Sequence, residues 1–139
     1  MSIGDTLAIS GTNVSAISVI IVYHMFAMQS WFDRVETARV ESVRLSLMAS
    51  PDDMERESMR IQLTALKKAF PWVQVAILGL TVVSMAAVGI VVLTMVDDLS
   101  VAPFAAFPLA ALVVVYLLSS LVTYRKGVRA ITECRTYLA

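Results

Sequence analysis

His24 is the only histidine of the chain, and it falls in a run without Asp, Glu, Lys or Arg that extends from residue 6 to residue 32. An ionisable side chain at membrane depth is costly, which makes it a functional candidate by default. Asn13 lies eleven residues earlier, three helical turns away and nearly on the same face. Asn13, Ser18 and His24 are therefore candidates for a polar seam or a pore lining. The plainer reading is a neutral His24 that bonds to a neighbouring helix. The run holds no carboxylate to complete a proton relay with the imidazole.

A second group of residues speaks to packing. Gly11, Ser15 and Ser18 share one face, a small-residue pattern that lets helix backbones approach closely. That face packs either on other spans of the same chain or on the first span of further copies around an axis. Gly79 is a comparable packing position in the second apolar run. Gln74, Thr81 and Ser84 share a side of that run, and Tyr116, Ser119, Ser120 and Thr123 sit in the third.

Other chemistry is excluded. A single cysteine, Cys134, allows no intrachain disulfide, and zinc sites of the finger type need four Cys or His ligands. No metal or other cofactor is expected. No nucleophile stands beside a base, no Gly-rich phosphate loop is present, and no carboxylate pair lies at depth, so the chain does not read as an enzyme. Eleven basic residues balance eleven acidic ones, which removes a nucleic-acid partner held by net positive charge.

The elements that must position these residues follow from the composition. Of 139 residues, 58% are apolar and 16% are charged, with a mean hydropathy of +0.78. Soluble domains are about 45–50% apolar and about 25% charged. The charges leave three windows empty, 6–32, 69–96 and 99–124, each at least 26 residues long. About 20 apolar residues cross a hydrocarbon core as a helix. The sequence predicts an all-α membrane protein, one domain over 1–139, with spans at about 7–30, 70–96 and 101–124. Asp97-Asp98-Leu99-Ser100 is short enough to make the second and third spans an antiparallel hairpin.

Seven Lys or Arg lie in 33–68 and four in the tail 125–139, while the N-terminus and the turn at 97–100 have none. The positive-inside rule then places 33–68 and the tail in the cytoplasm and the N-terminus outside. Trp31, Trp72 and Tyr124 end up at one boundary, as expected of an aromatic belt.

Residues 33–69 read as a cytoplasmic helical hairpin. No Pro or Gly interrupts the chain from Thr12 to Ser50, so its first helix is expected to continue from span one as a rod of about 40 residues. Ser50 is the expected N-cap of the second helix, with Pro51 at its first position and Asp52 and Asp53 at the positive end of its dipole. Val40, Val43 and Leu47 on the first helix are expected to meet Met59, Leu63, Leu66 and Phe70 on the second. Pro108 is expected to kink span three.

Three segments carry a resemblance: Ser30-Trp31-Phe32-Asp33-Arg34-Val35 after span one, Gln62-Leu63-Thr64-Ala65-Leu66-Lys67-Lys68 before span two, and Tyr124-Arg125-Lys126-Gly127-Val128-Arg129-Ala130 after span three. With its layout, the chain resembles a bacterial domain-of-unknown-function family of small three-span membrane proteins. The resemblance implies a three-span fold in the bacterial inner membrane and no particular activity. The functional expectation is a homo-oligomeric helical assembly, with a passive ion-conducting pore lined by span one as its narrowest form. The alternative is a non-catalytic accessory subunit of a larger membrane complex. The expected partners are the lipid bilayer, further copies and other membrane subunits.

Overall fold

The computed structural model describes residues 2–50, 52–95 and 102–139. The turn Asp97-Asp98-Leu99-Ser100 and the position of Pro51 lie outside them. The described residues form four helices and no strand: α1 (Ile3–Leu47), α2 (Asp53–Lys68), α3 (Trp72–Thr94) and α4 (Ala102–Tyr137). Three of the helical segments are long and apolar enough to cross a membrane, as in a multi-pass membrane protein.

The uninterrupted rod is present and longer than expected. α1 has 45 residues, about 68 Å at the usual rise per residue. It begins with a reciprocal cap, in which Ser2 Oγ accepts from Asp5 N at 3.1 Å and Asp5 Oδ2 accepts from Ser2 N at 3.3 Å. α2 is capped by Asp52 rather than by Ser50. Asp52 is extended, and its carboxylate accepts from Met54 N at 3.1 Å. The sequence offers three cap formers around Pro51, and the carboxylate closest to the helix is the one used. Lys67 and Lys68 fill the last turn of α2, where the helix dipole favours cations. Pro108 lies inside α4 without ending it.

The chain forms two compact units, and α1 and α4 contribute to both. Unit one comprises 1–25 and 72–120. Its core is Ile17, Ile21, Val82, Ala86, Leu93, Leu109 and Tyr116, from α1, α3 and α4. The buried positions of α3, Val82, Ala86, Gly89 and Leu93, are spaced by four, three and four, one stripe of a helix.

Unit two comprises 26–71 and 121–139. It is a three-helix packing, where the sequence suggested a two-helix hairpin and a separate basic tail. The tail is the last part of α4, and Gly127, Ala130, Ile131, Cys134 and Leu138 of the segment are buried. This third helix changes which face of α1 is covered. Met28, Trp31, Val35, Ala38, Ser42 and Leu45 are buried, in alternating steps of three and four. The expected stripe is not the packed one: Val40 is 68% and Leu47 is 81% exposed, and Val43 is half-buried. On α2, Met59 and Leu63 are buried, Leu66 is half-buried, and Phe70 is buried just beyond the helix.

Trp31 organises one end of unit two. Its Nε1 donates to Leu66 O at 3.0 Å. Its ring meets Phe70 edge to face with centroids 4.9 Å apart, and Phe70 meets Tyr124 at 4.8 Å. A Cβ on Gly127 would overlap Cη2 and Cζ3 of the Trp31 ring, so α1 and α4 approach here only because that residue is glycine.

Arg39 reaches Glu36 at 3.5 Å and Glu133 at 3.3 Å, with side chains about 40% exposed. Ion pairs this open contribute at most about 1 kcal/mol each. Arg60 donates to Leu138 O at 2.8 Å.

Cys134 is fully buried, within reach of Ser42, Arg39 and Glu133. Burial pushes its thiol above the ordinary value of 9.0, opposed in part by Ser42 and Arg39. A thiol held protonated and covered reacts slowly. In folded protein Cys134 is expected to resist maleimide until detergent unfolds unit two. Because the folded thiol titrates later than the unfolded one, its contribution to stability is lost as pH rises above about 9. Fast labelling of folded protein at neutral pH would contradict the burial.

Candidate functional site

The polar residues of the first span do not act as one group. Most hydroxyls are satisfied by their own helix: Thr12 donates to Ala8 O at 2.9 Å, Ser15 to Gly11 O at 3.0 Å and Ser18 to Val14 O at 2.8 Å. Such i−4 bonds let a hydroxyl sit in an apolar environment without a partner helix. The crowding of polar residues in this span therefore does not by itself require a water-filled wall.

His24 and Asn13 turn into unit one. His24 is fully buried, and its Nε2 lies 2.7 Å from Ser120 Oγ on α4. The neighbouring contacts of Ser120 favour one direction for that bond. Ser120 Oγ donates to Tyr116 O at 2.8 Å, and a carbonyl only accepts. With the hydroxyl proton on that carbonyl, Ser120 Oγ accepts from His24 Nε2–H, the tautomer this pair of contacts favours. Nδ1 then carries a lone pair, and it is buried without a partner.

Tyr116 completes the cluster. Its ring centroid is 4.4 Å from that of His24, and its hydroxyl donates to Val75 O on α3 at 2.6 Å. A Cβ on Gly79 would lie 3.1 Å from Tyr116 Cε1. Gly79 makes room for the tyrosine edge. His24, Ser120, Tyr116 and Gly79 join α1, α4 and α3.

Asn13 is half-buried, and its Nδ2 is also buried without a partner. It sits over α3, where a Cβ on Gly89 would come within 3.3 Å of that nitrogen. The expected seam is therefore two separate contacts inside unit one. Neither residue faces outward from these helices, where a lining shared between subunits would place it.

Gly11 and Ser15 are exposed, and nothing lies within 4 Å of a Cβ built on Gly11. Among the described residues, no other helix covers this face at Gly11. Ser18, at its edge, is half-buried.

The Ser120 and Tyr116 contributions were not legible in the sequence, because both lie in a third span whose facing cannot be read without its neighbours. Among the described residues no cluster of three or more His, Cys, Asp or Glu is placed to hold a metal.

The donor assignment orders the expected effects of substitution. Ser120→Ala removes one oxygen but strands His24 Nε2–H beside the already unpaired Nδ1. The expected loss is about 1–3 kcal/mol, the usual cost of an orphaned buried donor. His24→Leu leaves Ser120 bonded to Tyr116 O and is expected to cost less. The double variant should be no worse than His24→Leu alone. SDS-titrated unfolding of the three proteins checks the order, and an additive double variant would contradict the assigned bond.

No protein-family model, curated protein or solved structure matches the chain.

Proposed function

We propose that the protein is a non-enzymatic, multi-pass membrane protein that works as an assembly of its own copies, joined through the outer half of α1. The observation that carries this reading is the uncovered face of Gly11 and Ser15. Small residues at membrane helices let backbones pack closely, and among the described residues nothing lies within 4 Å of a Cβ built on Gly11. The expected side is the bacterial plasma membrane with the N-terminus outside, on the basic-residue asymmetry and the layout resemblance.

A passive pore walled by span one is the narrower form of the proposal. Its wall is Gly11, Thr12 and Ser15, not Asn13 and His24. Further along the exposed face stand Val19, Val22 and Phe26, an apolar stretch of the kind that gates by dewetting.

Cross-linking and size analysis of purified protein in mild detergent test the assembly. A homo-oligomer that Gly11→Leu or Ser15→Leu reduces to monomer supports it. A wild-type monomer at all concentrations overturns it. Planar-bilayer recording tests the pore, and silence of an intact oligomer removes that form. Sidedness is read with Ser50→Cys in a Cys134→Ser background, since the native thiol is covered.

A second reading, an accessory subunit of a larger complex, rests on a different observation. An open groove of about 780 Å³ runs between α1 and α2, with Ala38, Val40, Met59 and Leu66 among its walls. Co-migration with a stoichiometric partner on extraction from native membranes favours this reading.

A further inference from the structure

Zero net charge conceals a separation of charge within unit two. Six cations lie within five residues of Trp31, Phe70 or Tyr124: Arg34, Lys67, Lys68, Arg125, Lys126 and Arg129. All six are exposed. The same stretch of chain holds two carboxylates, Asp33 and Glu36. Asp33 accepts from Gln29 at 2.8 Å, and Glu36 is paired with Arg39.

The rest of the unit is the reverse, with five cations against six carboxylates. The ion pairs follow the same division. Among the described residues all four belong to Arg39, Arg44 or Arg60, and none involves the six cations. Arg34 makes one bond, from Nε to Ser30 O of its own helix. Helix-dipole compensation accounts for Lys67 and Lys68 at the end of α2. It does not account for Arg34 or for Arg125, Lys126 and Arg129, which lie inside α1 and α4.

Trp31, Phe70 and Tyr124 bring these stretches to one level by ring contacts. Lys126 and Arg129, spaced for one helix face, line a cleft of about 210 Å³ between α1 and α4 together with Phe32, Arg39 and Ala130. Glu133 and Glu36 also line it, but both are bound to Arg39. A cleft lined in part by Phe32 and Ala130, with two cations outside any ion pair, on segments adjoining the apolar windows, suits a phosphodiester that carries its own acyl chains.

We propose that this collar is a binding surface for anionic glycerophospholipid headgroups of the bilayer, with Lys126 and Arg129 forming its most defined seat. Guanidinium and ammonium groups left without carboxylate partners take the lipid phosphates as counter-ions. Arg39 pairs with Glu36 and Glu133 beside this seat, and the pairs of Arg44 and Arg60 lie within single helices, so none of them engages the six cations.

Full-length protein reconstituted in phosphatidylcholine bilayers tests this. Brominated phosphatidylglycerol or brominated phosphatidylcholine is titrated in, and quenching is followed at Trp72, the exposed tryptophan. Phosphatidylglycerol should quench several-fold more effectively at equal fraction, and the excess should fall as salt rises. Lys126→Gln/Arg129→Gln and Lys67→Gln/Lys68→Gln should each cut the preference, by up to about five-fold per cation. Arg44→Gln/Arg56→Gln should leave it unchanged.

Equal quenching by the two lipids in wild-type protein overturns the proposal, independently of whether any variant inserts. An equal loss in Arg44→Gln/Arg56→Gln also overturns it, since net charge alone would then explain the preference. Inorganic phosphate that abolishes the preference, where chloride at the same ionic strength does not, reassigns the site to a free anion.

Discussion

Gly127→Ala is expected to destabilise unit two by about 2 kcal/mol, although alanine is the better helix former. The new methyl group would overlap Cη2 and Cζ3 of the Trp31 ring. Trp31 is 1% exposed and is held by Leu66 O and by the edge of Phe70, so it has nowhere to retreat. Overpacking of this kind costs about 1–3 kcal/mol, and displacing the ring also loses a hydrogen bond of about 1 kcal/mol. The gain in helix propensity returns about 1 kcal/mol.

Two comparisons isolate the cause. Gly11→Ala adds the same methyl group where nothing lies within 4 Å, and in monomeric detergent conditions it should stabilise slightly. Trp31→Leu should make Gly127→Ala nearly harmless. SDS-titrated unfolding, followed by circular dichroism, reads all of these. A stabilised Gly127→Ala would mean that α1 and α4 do not approach as described.

The same glycine shows where sequence reasoning reached and where it stopped. The apolar windows, the uninterrupted α1 and the amphipathic α2 were legible, because charge exclusion and 3.6-residue periodicity are properties of one segment. The packed face of α1 beyond the apolar window was not. Val40, Val43 and Leu47 are the bulky residues, and periodicity favours them. The buried face contains Ala38 and Ser42, small residues chosen for close packing, as Cys134 of α4 packs beside Ser42. A tail of fifteen residues with four cations reads as a solvated end until Gly127, Ala130, Ile131 and Cys134 are recognised as one helical face.

The polar residues of span one failed for a related reason. Sequence shows that a hydroxyl or an imidazole is present, and not whether its own helix already satisfies it. Thr12, Ser15 and Ser18 bond to their own turns, whereas His24 needs α4. Grouping Asn13, Ser18 and His24 by face joined one self-satisfied residue to two that serve different contacts.

Tyr116→Ala should be the most damaging single change in unit one. The ring is 1% exposed and belongs to the core. Truncating a buried aromatic costs about 3–5 kcal/mol in soluble proteins. Part of that is transfer from water, which is weaker when the separated helices remain in lipid. The lost contacts and the cavity remain, so the expected cost is about 2–4 kcal/mol.

Tyr116→Phe separates packing from the hydroxyl. It keeps the ring against Gly79 and His24 and removes the 2.6 Å bond to Val75 O. That carbonyl is an interior acceptor of α3 and stays within the helical hydrogen-bond ladder. The expected loss is therefore close to the average of about 0.6 kcal/mol for an interhelical bond in a membrane protein. Gly79→Ala pushes on the same ring from the other side, at 3.1 Å from Cε1. It should be damaging beside Tyr116 and harmless beside Tyr116→Ala, where the methyl group enters vacated space. A double-mutant cycle on these two positions, read by the same unfolding titration, should give a coupling of about 1 kcal/mol or more. Strict additivity would show that the ring does not lie across Gly79, and the junction of α1, α3 and α4 through Tyr116 would fall with it.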